Sequence, residues 1–250
     1  MASTTVARAA TSRPAPQKPK RRAPLPIELY RSAVGKKYVM AITGIALMGF
    51  VFFHMLGNLK MYLGPGHFNE YAEWLRTLLV PFLPRTTTLW LMRIGLIVAF
   101  ALHIHAAYSL TRMNHAARNT KYQGRRDYVA ANYASRTMRW SGIIVGLFIV
   151  WHLFDLSWTG TGYTFVRGAV YENVDGSLSR IPVGILYVVA NIALGFHLFH
   201  GAWSLFQSMG WNNPRFNRWR RDFAAIFAAI IVVGNVSFPL AVMAGVVGVG

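Results

Sequence analysis

Histidines recur in the long apolar segments of this chain. Four of these segments carry one or two each, at His54, His103, His152 and the pair His197/His200. An ionisable side chain at membrane depth is costly, so it usually marks a functional site. Imidazole is also a common axial ligand of haem iron. Four helices that each turn an imidazole toward one bundle interior therefore predict two bis-histidine metal centres, most simply two haems of the b type.

The composition is that of a membrane protein. The chain has 250 residues, 54% of them hydrophobic, with 26 Lys and Arg residues against 8 Asp and Glu residues. The charges cluster between apolar segments of about 20 residues, the length that crosses a bilayer. The basic excess therefore indicates membrane topology rather than nucleic-acid binding. The chain has no cysteine, which excludes disulfides and any iron–sulfur or thiolate-ligated centre built from this chain alone.

The sequence predicts an all-α integral membrane protein with five transmembrane helices. The first four, which carry the histidines, are expected to form a cofactor-binding four-helix bundle. The fifth has no histidine and is expected to pack outside that bundle. A basic, disordered cytoplasmic tail over residues 1–29 precedes the transmembrane domain over residues 30–250. The predicted spans are 38–60, 88–110, 140–158, 182–208 and 223–246.

The distribution of positive charge predicts the orientation. Of the Lys and Arg residues, 20 lie in segments 1–37, 111–139 and 209–221, and 6 lie on the other side of the spans. Because cytoplasmic loops are enriched in Lys and Arg, the N-terminus is predicted in the cytoplasm and the C-terminus outside. This favours a cell inner (plasma) membrane. The alternative interpretation of the tail, an organellar transit peptide, would place the chain in the mitochondrial inner membrane.

The two predicted outer connections differ in character. The first, over residues 61–87, is amphipathic and aromatic and is expected to lie along the membrane surface. The second, over residues 159–181, is rich in Gly, Thr and Tyr. Its VDGS sequence at residues 174–177 predicts a turn that would suit a short hairpin.

Position along the helices sorts the histidines by depth. With a rise of about 1.5 Å per residue, His54 and His152 lie toward the outer side of the membrane. His103 lies toward the inner side, together with His197 or His200. Each pair comes from alternate, parallel spans, as two stacked metal centres in one four-helix bundle require.

The chain places six histidines at membrane depth, two more than the four ligands that two bis-histidine centres need. His105 lies roughly 200° around the helix from His103, so only one of the two can face a given cofactor. His197 and His200 are three residues apart and line one helix face. The spacing leaves open which of these two ligates a metal.

Electrons from such metal centres would pass to a carrier in the membrane. If that carrier is a quinone, its reduction takes up two protons with two electrons, so its site needs acids or hydrogen-bond donors near a membrane edge. Candidates lie on both sides, and the sequence does not choose between the sides. The inner candidates are Tyr30, Arg31, Ser32 and Trp211, and the outer candidates are Asn58, Lys60, Tyr62, Glu70 and Asp155.

Three local sequences resemble those of a known family. They are GKKYVMAITGIALMGFVFFHMLGNLKMY, LHIHAAYSLTRMNHAARNTKY and FHLFHGAWSLFQSMG. Over about residues 30–221 the chain resembles the five-helix, b558-like cytochrome b subunit of succinate dehydrogenase/fumarate reductase, respiratory complex II. The third span matches only through its histidine and its position.

The resemblance implies a role in electron transport. The family's subunit anchors a flavoprotein and an iron–sulfur protein on the cytoplasmic face and passes electrons from the latter to a membrane quinone, commonly menaquinone. It reduces quinone but does not act on succinate by itself. The resemblance assigns His54 and His152 to an outer haem b. It assigns His103, or alternatively His105, to an inner one with His197 or His200.

The surplus histidines leave room for a centre with another metal. An iron–sulfur variant would need thiolates from a second chain, because this chain has none. The basic inner loops would dock an acidic face of a partner subunit or contact anionic membrane lipid. The sequence also allows the chain to form a higher oligomer.

Two other functions compete with this interpretation. One is a stand-alone di-haem cytochrome b that carries electrons across the membrane. The other is a transporter whose intramembrane histidines relay protons. Transporters commonly show internal repeats and helices broken at the membrane centre, and the sequence shows neither.

Overall fold

The chain is mainly helical in the part that the computed structural model describes, which is residues 24–117, 131–158, 160–211 and 213–248. This part contains no strand, and the predicted all-α class is confirmed. The α-helices are α1 (Leu25–Arg31), α2 (Ala33–Asn58), α3 (Pro65–Arg76), α4 (Thr87–Ala116), α5 (Ala131–Leu153), α6 (Val170–Leu178), α7 (Ile181–Ser208) and α8 (Asn217–Met243). Short 3-10 turns, Leu59–Leu63 and Pro214–Phe216, follow α2 and precede α8, and a π-helical turn, Phe154–Trp158, follows α5.

Five helical segments are long and apolar enough to cross a membrane, as predicted. They are Ala33–Leu63, Thr87–Ala116, Thr137–Trp158, Ile181–Ser208 and Pro214–Met243. Local chemistry sets where two of them begin. The Ser32 hydroxyl caps α2 by accepting the Gly35 N–H at 2.9 Å. Pro182 lies in the first turn of α7, where a missing N–H leaves no helical bond unmade.

Two predicted segments fall largely outside the described residues. Residues 1–23 of the basic tail are among them, and so are residues 118–130 of the basic inner connection.

The spans pack as two helix pairs with α8 against them. Helix α2 packs along α4, and α5 packs along α7. Helix α8 packs extensively against α7 and also contacts α2. The buried apolar core contains Met55 of α2, Tyr187 and Leu198 of α7, and Ile231 and Phe238 of α8. By contrast, α4 makes few contacts with α5 or α7, so the two pairs are loosely joined on that side.

Short helices cover one end of the bundle. The Asn69 amide of α3 donates to the Glu172 carboxylate of α6 at 3.1 Å, and the Asn69 carbonyl oxygen accepts the Tyr171 N–H at 3.0 Å. We call this end, formed by α3 and α6, the cap end. The opposite end, with α1 and the arginine-rich start of α8, is the basic end. In the predicted topology they are the outer and inner ends.

The turn predicted at VDGS is wrong, because these residues lie inside α6. Tertiary contacts explain the difference. The Asn173 side chain bonds to both the backbone N–H and the carbonyl oxygen of Val166, at 2.9 and 2.7 Å. The Ser177 hydroxyl donates to the buried carboxylate of Asp155. Asn173 and Ser177 lie on the face of α6 that packs inward, so the hydrogen bonds of their side chains outweigh the local turn propensity.

Candidate metal centres

The basic-end pair of imidazoles comes from α4 and α7. The rings of His103 and His197 have centroids 6.4 Å apart and planes inclined by 70°. Both residues are half-buried. Because metal–imidazole bonds are about 2 Å long, two rings on opposite sides of one metal ion have centroids roughly 6 Å apart. A spacing of this size would allow both imidazoles to bind one metal ion between them.

Hydroxyl groups on the other two helices hold these imidazoles. The Thr43 hydroxyl donates to the Val39 carbonyl at 2.7 Å, so its oxygen accepts from His103 Nδ1, 3.2 Å away. The Ser141 hydroxyl donates to the Met138 carbonyl at 3.1 Å, and His197 Nδ1 lies 3.5 Å from it. A hydrogen on Nδ1 leaves the lone pair on Nε2, the tautomer that suits a metal ligand.

A glycine follows each of these hydroxyl residues and brings the helix backbone close to the ring. A Cβ on Gly44 would lie 3.5 Å from His103 Cε1, and one on Gly142 would lie 3.3 Å from His197 Cε1. The second distance is tighter than ordinary van der Waals contact. The two imidazoles therefore rest in equivalent cradles, each formed by a hydroxyl residue and a glycine of the neighbouring helix.

The cap-end pair comes from α2 and α5. The rings of His54 and His152 have centroids 6.0 Å apart and planes inclined by 86°. His54 also stacks on Phe50, with centroids 5.2 Å apart. His152 Nδ1 lies 3.3 Å from the Tyr187 hydroxyl oxygen. This pair therefore repeats the ring spacing of the basic-end pair at the other end of the same four helices.

A buried carboxylate stands behind Tyr187. Asp155, in the π-helical turn after α5, has no exposed surface. The Tyr187 hydroxyl donates to its Oδ2 at 3.0 Å. Arg180 Nη2 donates to its Oδ1 at 2.9 Å. The hydroxyls of Thr161 and Ser177 complete its set of donors.

Tyr163 closes this network toward the cap end. Its hydroxyl donates to the Asp155 backbone carbonyl at 2.6 Å, and the Arg180 guanidinium lies 5.2 Å from the centre of its ring. Burial, and secondly the negative charge of Asp155, raises the pKa of Tyr163 to about 12. Tyr163 therefore stays a neutral hydrogen-bond donor at neutral pH.

The residues present fit a planar group held between two imidazoles. Each pair offers two ligands, and the described part of the chain contains no cluster of three or more His, Asp or Glu side chains suited to a metal ion. A zinc site would need three or four protein ligands. On α2, α5 and α7, a Cβ on Gly49, Gly146 or Gly201 would meet no atom within 4 Å.

The family follows from a sequence comparison. A family model described as succinate dehydrogenase/fumarate reductase transmembrane subunit matches residues 111–236. This is half of the chain, and it contains all of α5, α6 and α7 and most of α8. The chain belongs to this family. Neither a curated protein nor a solved structure matches it.

The matched segment of this complex II subunit includes one histidine of each pair. His152 and His197 lie inside it, whereas His54 and His103 lie on helices before it. The two remaining histidines at membrane depth have other partners. His200 is buried, with Nε2 3.1 Å from the Thr137 hydroxyl oxygen. His105 is exposed, with Nδ1 2.5 Å from the Tyr30 hydroxyl oxygen.

The quinone candidates of this subunit divide between its two ends. At the cap end Lys60 lies over the Tyr71 ring at 5.4 Å, and the Tyr62 hydroxyl donates to Ser237 at 2.8 Å. Asn58 is half-buried, Glu70 is exposed and Asp155 is enclosed by its four donors. At the basic end Tyr30 contacts His105, Ser32 caps α2, and Arg31 and Trp211 are exposed. Binding of a quinone by any of them stays a prediction.

Three residues that hold the imidazoles were missed in the sequence. Thr43, Ser141 and Tyr187 are uncharged and carry no motif on their own. A signal existed for the first two, because Thr43-Gly44 precedes His54 by the same interval at which Ser141-Gly142 precedes His152. This short internal repeat went undetected. For Tyr187 no comparable signal exists.

Proposed function

We propose that this chain is the electron-transferring membrane anchor of a succinate:quinone oxidoreductase of the b558-like kind, with two haems b. The observation that carries the proposal is the presence of two facing pairs of imidazoles. His54 faces His152 at 6.0 Å, and His103 faces His197 at 6.4 Å, at the two ends of the same four helices. Two stacked centres of this kind divide the thickness of a membrane into short electron-transfer distances.

The residues of the chain define what each centre can do. His54 and His152 would hold one haem, and His103 and His197 the other. A bis-histidine haem supplies one-electron transfer and has no free coordination position for oxygen. The Thr43 and Ser141 hydroxyls keep the lone pair of each basic-end imidazole on Nε2. His197 is the proposed partner of His103 because the two rings face each other, whereas the His200 Nε2 bonds to Thr137.

The basic end suits the partners that the family implies. The 3-10 turn Pro214–Phe216 and the start of α8 expose three arginines and two aromatic side chains, namely Arg215, Arg218, Arg221, Phe216 and Trp219. A mixed aromatic and cationic surface of this kind fits the acidic face of a soluble subunit. We infer that the flavoprotein and iron–sulfur subunits dock here, on the cytoplasmic side, and that electrons leave the chain to menaquinone in the membrane.

Optical spectroscopy of the purified complex tests the proposal. Reduced-minus-oxidised spectra should show two haems b, and flavoprotein and iron–sulfur subunits should co-purify. His54→Ala and His103→Ala should each remove one centre and leave the other. His67→Ala is the matched control, because His67 is exposed on α3 and belongs to neither pair.

Each other outcome has a defined meaning. Haem without co-purifying subunits would favour a stand-alone cytochrome b. A protein that is folded but free of haem would refute the di-haem assignment and return attention to proton relay. Loss of both centres in a single variant that is otherwise folded would contradict the two-level pairing.

A further inference from the structure

The two imidazole pairs differ in what lies behind them. At the basic end, the hydroxyls of Thr43 and Ser141 pass their own hydrogens to the backbone carbonyls of Val39 and Met138. At the cap end, the hydroxyl beside the imidazole belongs to Tyr187, and its hydrogen goes to a carboxylate. The two centres are therefore held by similar hydroxyl contacts but sit in different electrostatic surroundings.

The number of available hydrogens determines which group donates and which accepts in the hydrogen bonds that link His152, Tyr187 and Asp155. Asp155 is paired with Arg180 at 2.9 Å and accepts three hydroxyl hydrogens besides. An ionised carboxylate only accepts, and it has about four lone-pair positions, all of which are used. The single hydrogen of Tyr187 is thus committed to Asp155. Its oxygen must then accept the hydrogen on His152 Nδ1.

We propose that Asp155 is a positioning residue for the cap-end centre, acting on His152 through Tyr187. Tyr187 fixes the tautomer that leaves His152 Nε2 free. The carboxylate behind Tyr187 increases the electron density on the imidazole, as outer partners of metal-bound histidines do. This inference rests on the proposed function, because it concerns a metal held by His54 and His152.

The consequence is a lowered midpoint potential at one centre. A more electron-rich ligand favours the more positively charged, oxidised state of the metal that it holds. The nearby negative charge of Asp155 acts in the same direction. Removing either effect should make the cap-end centre easier to reduce. The basic-end centre, whose hydroxyls end on neutral carbonyls, should not change.

The burial of the network explains why the effect should reach the metal. Asp155 has no exposed surface, and Ser177 has none either. Tyr187 is buried at the level of His152. Charges in such surroundings are screened much less than charges in water. The positive charge of Arg180 partly offsets the negative charge of the carboxylate. Arg180 bonds to Oδ1 of Asp155, whereas Tyr187, which contacts His152, bonds to Oδ2.

A redox titration of the assembled complex tests the proposal. In Tyr187→Phe and in Asp155→Asn, the midpoint potential of the centre that His54→Ala removes should rise, with the other centre unchanged. Thr43→Val is the matched control, since it removes a hydroxyl contact to an imidazole at the basic end and should alter only that centre. Haem content per complex, measured on the same samples, should fall in Tyr187→Phe if the tautomer is no longer fixed.

The results separate this inference from the proposed function. Absence of haem from the wild-type complex would refute the function itself. Two haems in the wild type, with an unchanged cap-end midpoint in Tyr187→Phe, would overturn the inference and leave the function standing. Tyr187→Phe keeps the aromatic ring and the Asp155–Arg180 ion pair, so it decides the matter even where Asp155→Asn fails to assemble.

Discussion

At the scale of single residues, the orientation of the histidines depends on uncharged neighbours. Three of the four paired imidazoles have Nδ1 next to a hydroxyl, supplied by Thr43, Ser141 or Tyr187. In a membrane interior, a donor without an acceptor is expensive, so each contact holds its ring in one orientation and one tautomer. His54 has a ring contact instead, with Phe50. Under the proposed function, these contacts would orient the imidazoles before any cofactor binds.

Outside the membrane, one residue makes the cap end sensitive to acid. Glu73 of α3 bonds to Arg85 and to Arg76, and these two contacts, Arg85 foremost, hold its pKa below the usual value. A depressed carboxyl pKa stabilises the fold at neutral pH, and this contribution is lost as pH falls through the lowered pKa. We expect the protection factor of the Thr86 amide, which bonds to the Arg76 carbonyl at 2.7 Å, to fall on acidification, after correction for the pH dependence of the intrinsic exchange rate.

Glu73→Gln should remove that acid dependence and leave the protection factor of the Thr86 amide low at every pH. Glu70→Gln is the control, because it makes the same charge change at an exposed site of the same helix that has no ion pair in the described part of the chain. The effect should shrink in high salt, as for any exposed ion pair. An acid dependence that persists in Glu73→Gln would assign it to another group.

The spacing of the histidines predicted two pairs at different depths, but it did not choose between two candidate ligands on the same helix. His197 and His200 share a helix face, so periodicity treats them alike. In the structure their contacts differ, since His197 faces His103 of α4 while His200 bonds to Thr137 of α5, and His197 as the metal ligand stays a prediction. Such contacts join residues far apart in the chain, which one-dimensional patterns do not encode.

At the scale of helices, small residues decide how closely the fifth span approaches the others. A Cβ on Gly195 of α7 would lie 2.2 Å from Val232 Cγ2 of α8. A Cβ on Gly234 of α8 would lie 2.3 Å from Met55 Sδ of α2. Membrane helices associate through close packing rather than through the hydrophobic effect. These two glycines therefore fix the contact of α8 with both α7 and α2.

We expect Gly195→Ala to destabilise the protein by about 1–3 kcal/mol, the usual cost of overpacking a close contact. Val232 is β-branched and has little rotamer freedom in a helix, so α8 itself must shift. Thermal unfolding in detergent should show a lower midpoint. Gly95→Ala is the matched control on α4, because its Cβ would meet no atom within 4 Å. Equal midpoints for the two variants would contradict this view of the α7–α8 contact.

The five spans were predictable because the bilayer imposes a length and a composition on each. The short helix α6 was not, since it sits outside the membrane, where local propensity and tertiary contacts compete. Its VDGS segment has turn-forming residues, yet Asn173 and Ser177 bond to groups in other segments. The sequence therefore predicts the spans, which the surrounding bilayer determines. It does not predict α6, which depends on side-chain contacts with other segments.

At the scale of the whole molecule, the surface fits a lipid environment with a charged end. Leu147, Val233 and Ile97, on α5, α8 and α4, are 69%, 71% and 65% exposed. Apolar side chains so exposed on three helices need lipid or a partner around them. Most of the Lys and Arg residues that give the formal net charge of +18 lie outside the spans. We propose the topology that this charge predicts, with the basic end in the cytoplasm and the cap end outside.

Cysteine labelling tests this topology without background, because the chain contains no cysteine of its own. His67→Cys places a thiol on exposed α3 at the cap end, and Asn213→Cys places one on an exposed residue just before α8 at the basic end. A membrane-impermeant maleimide should label the first in intact spheroplasts and the second only after solubilisation in denaturing detergent. The reverse pattern would invert the topology and would move the proposed docking surface for the soluble subunits to the wrong side of the membrane.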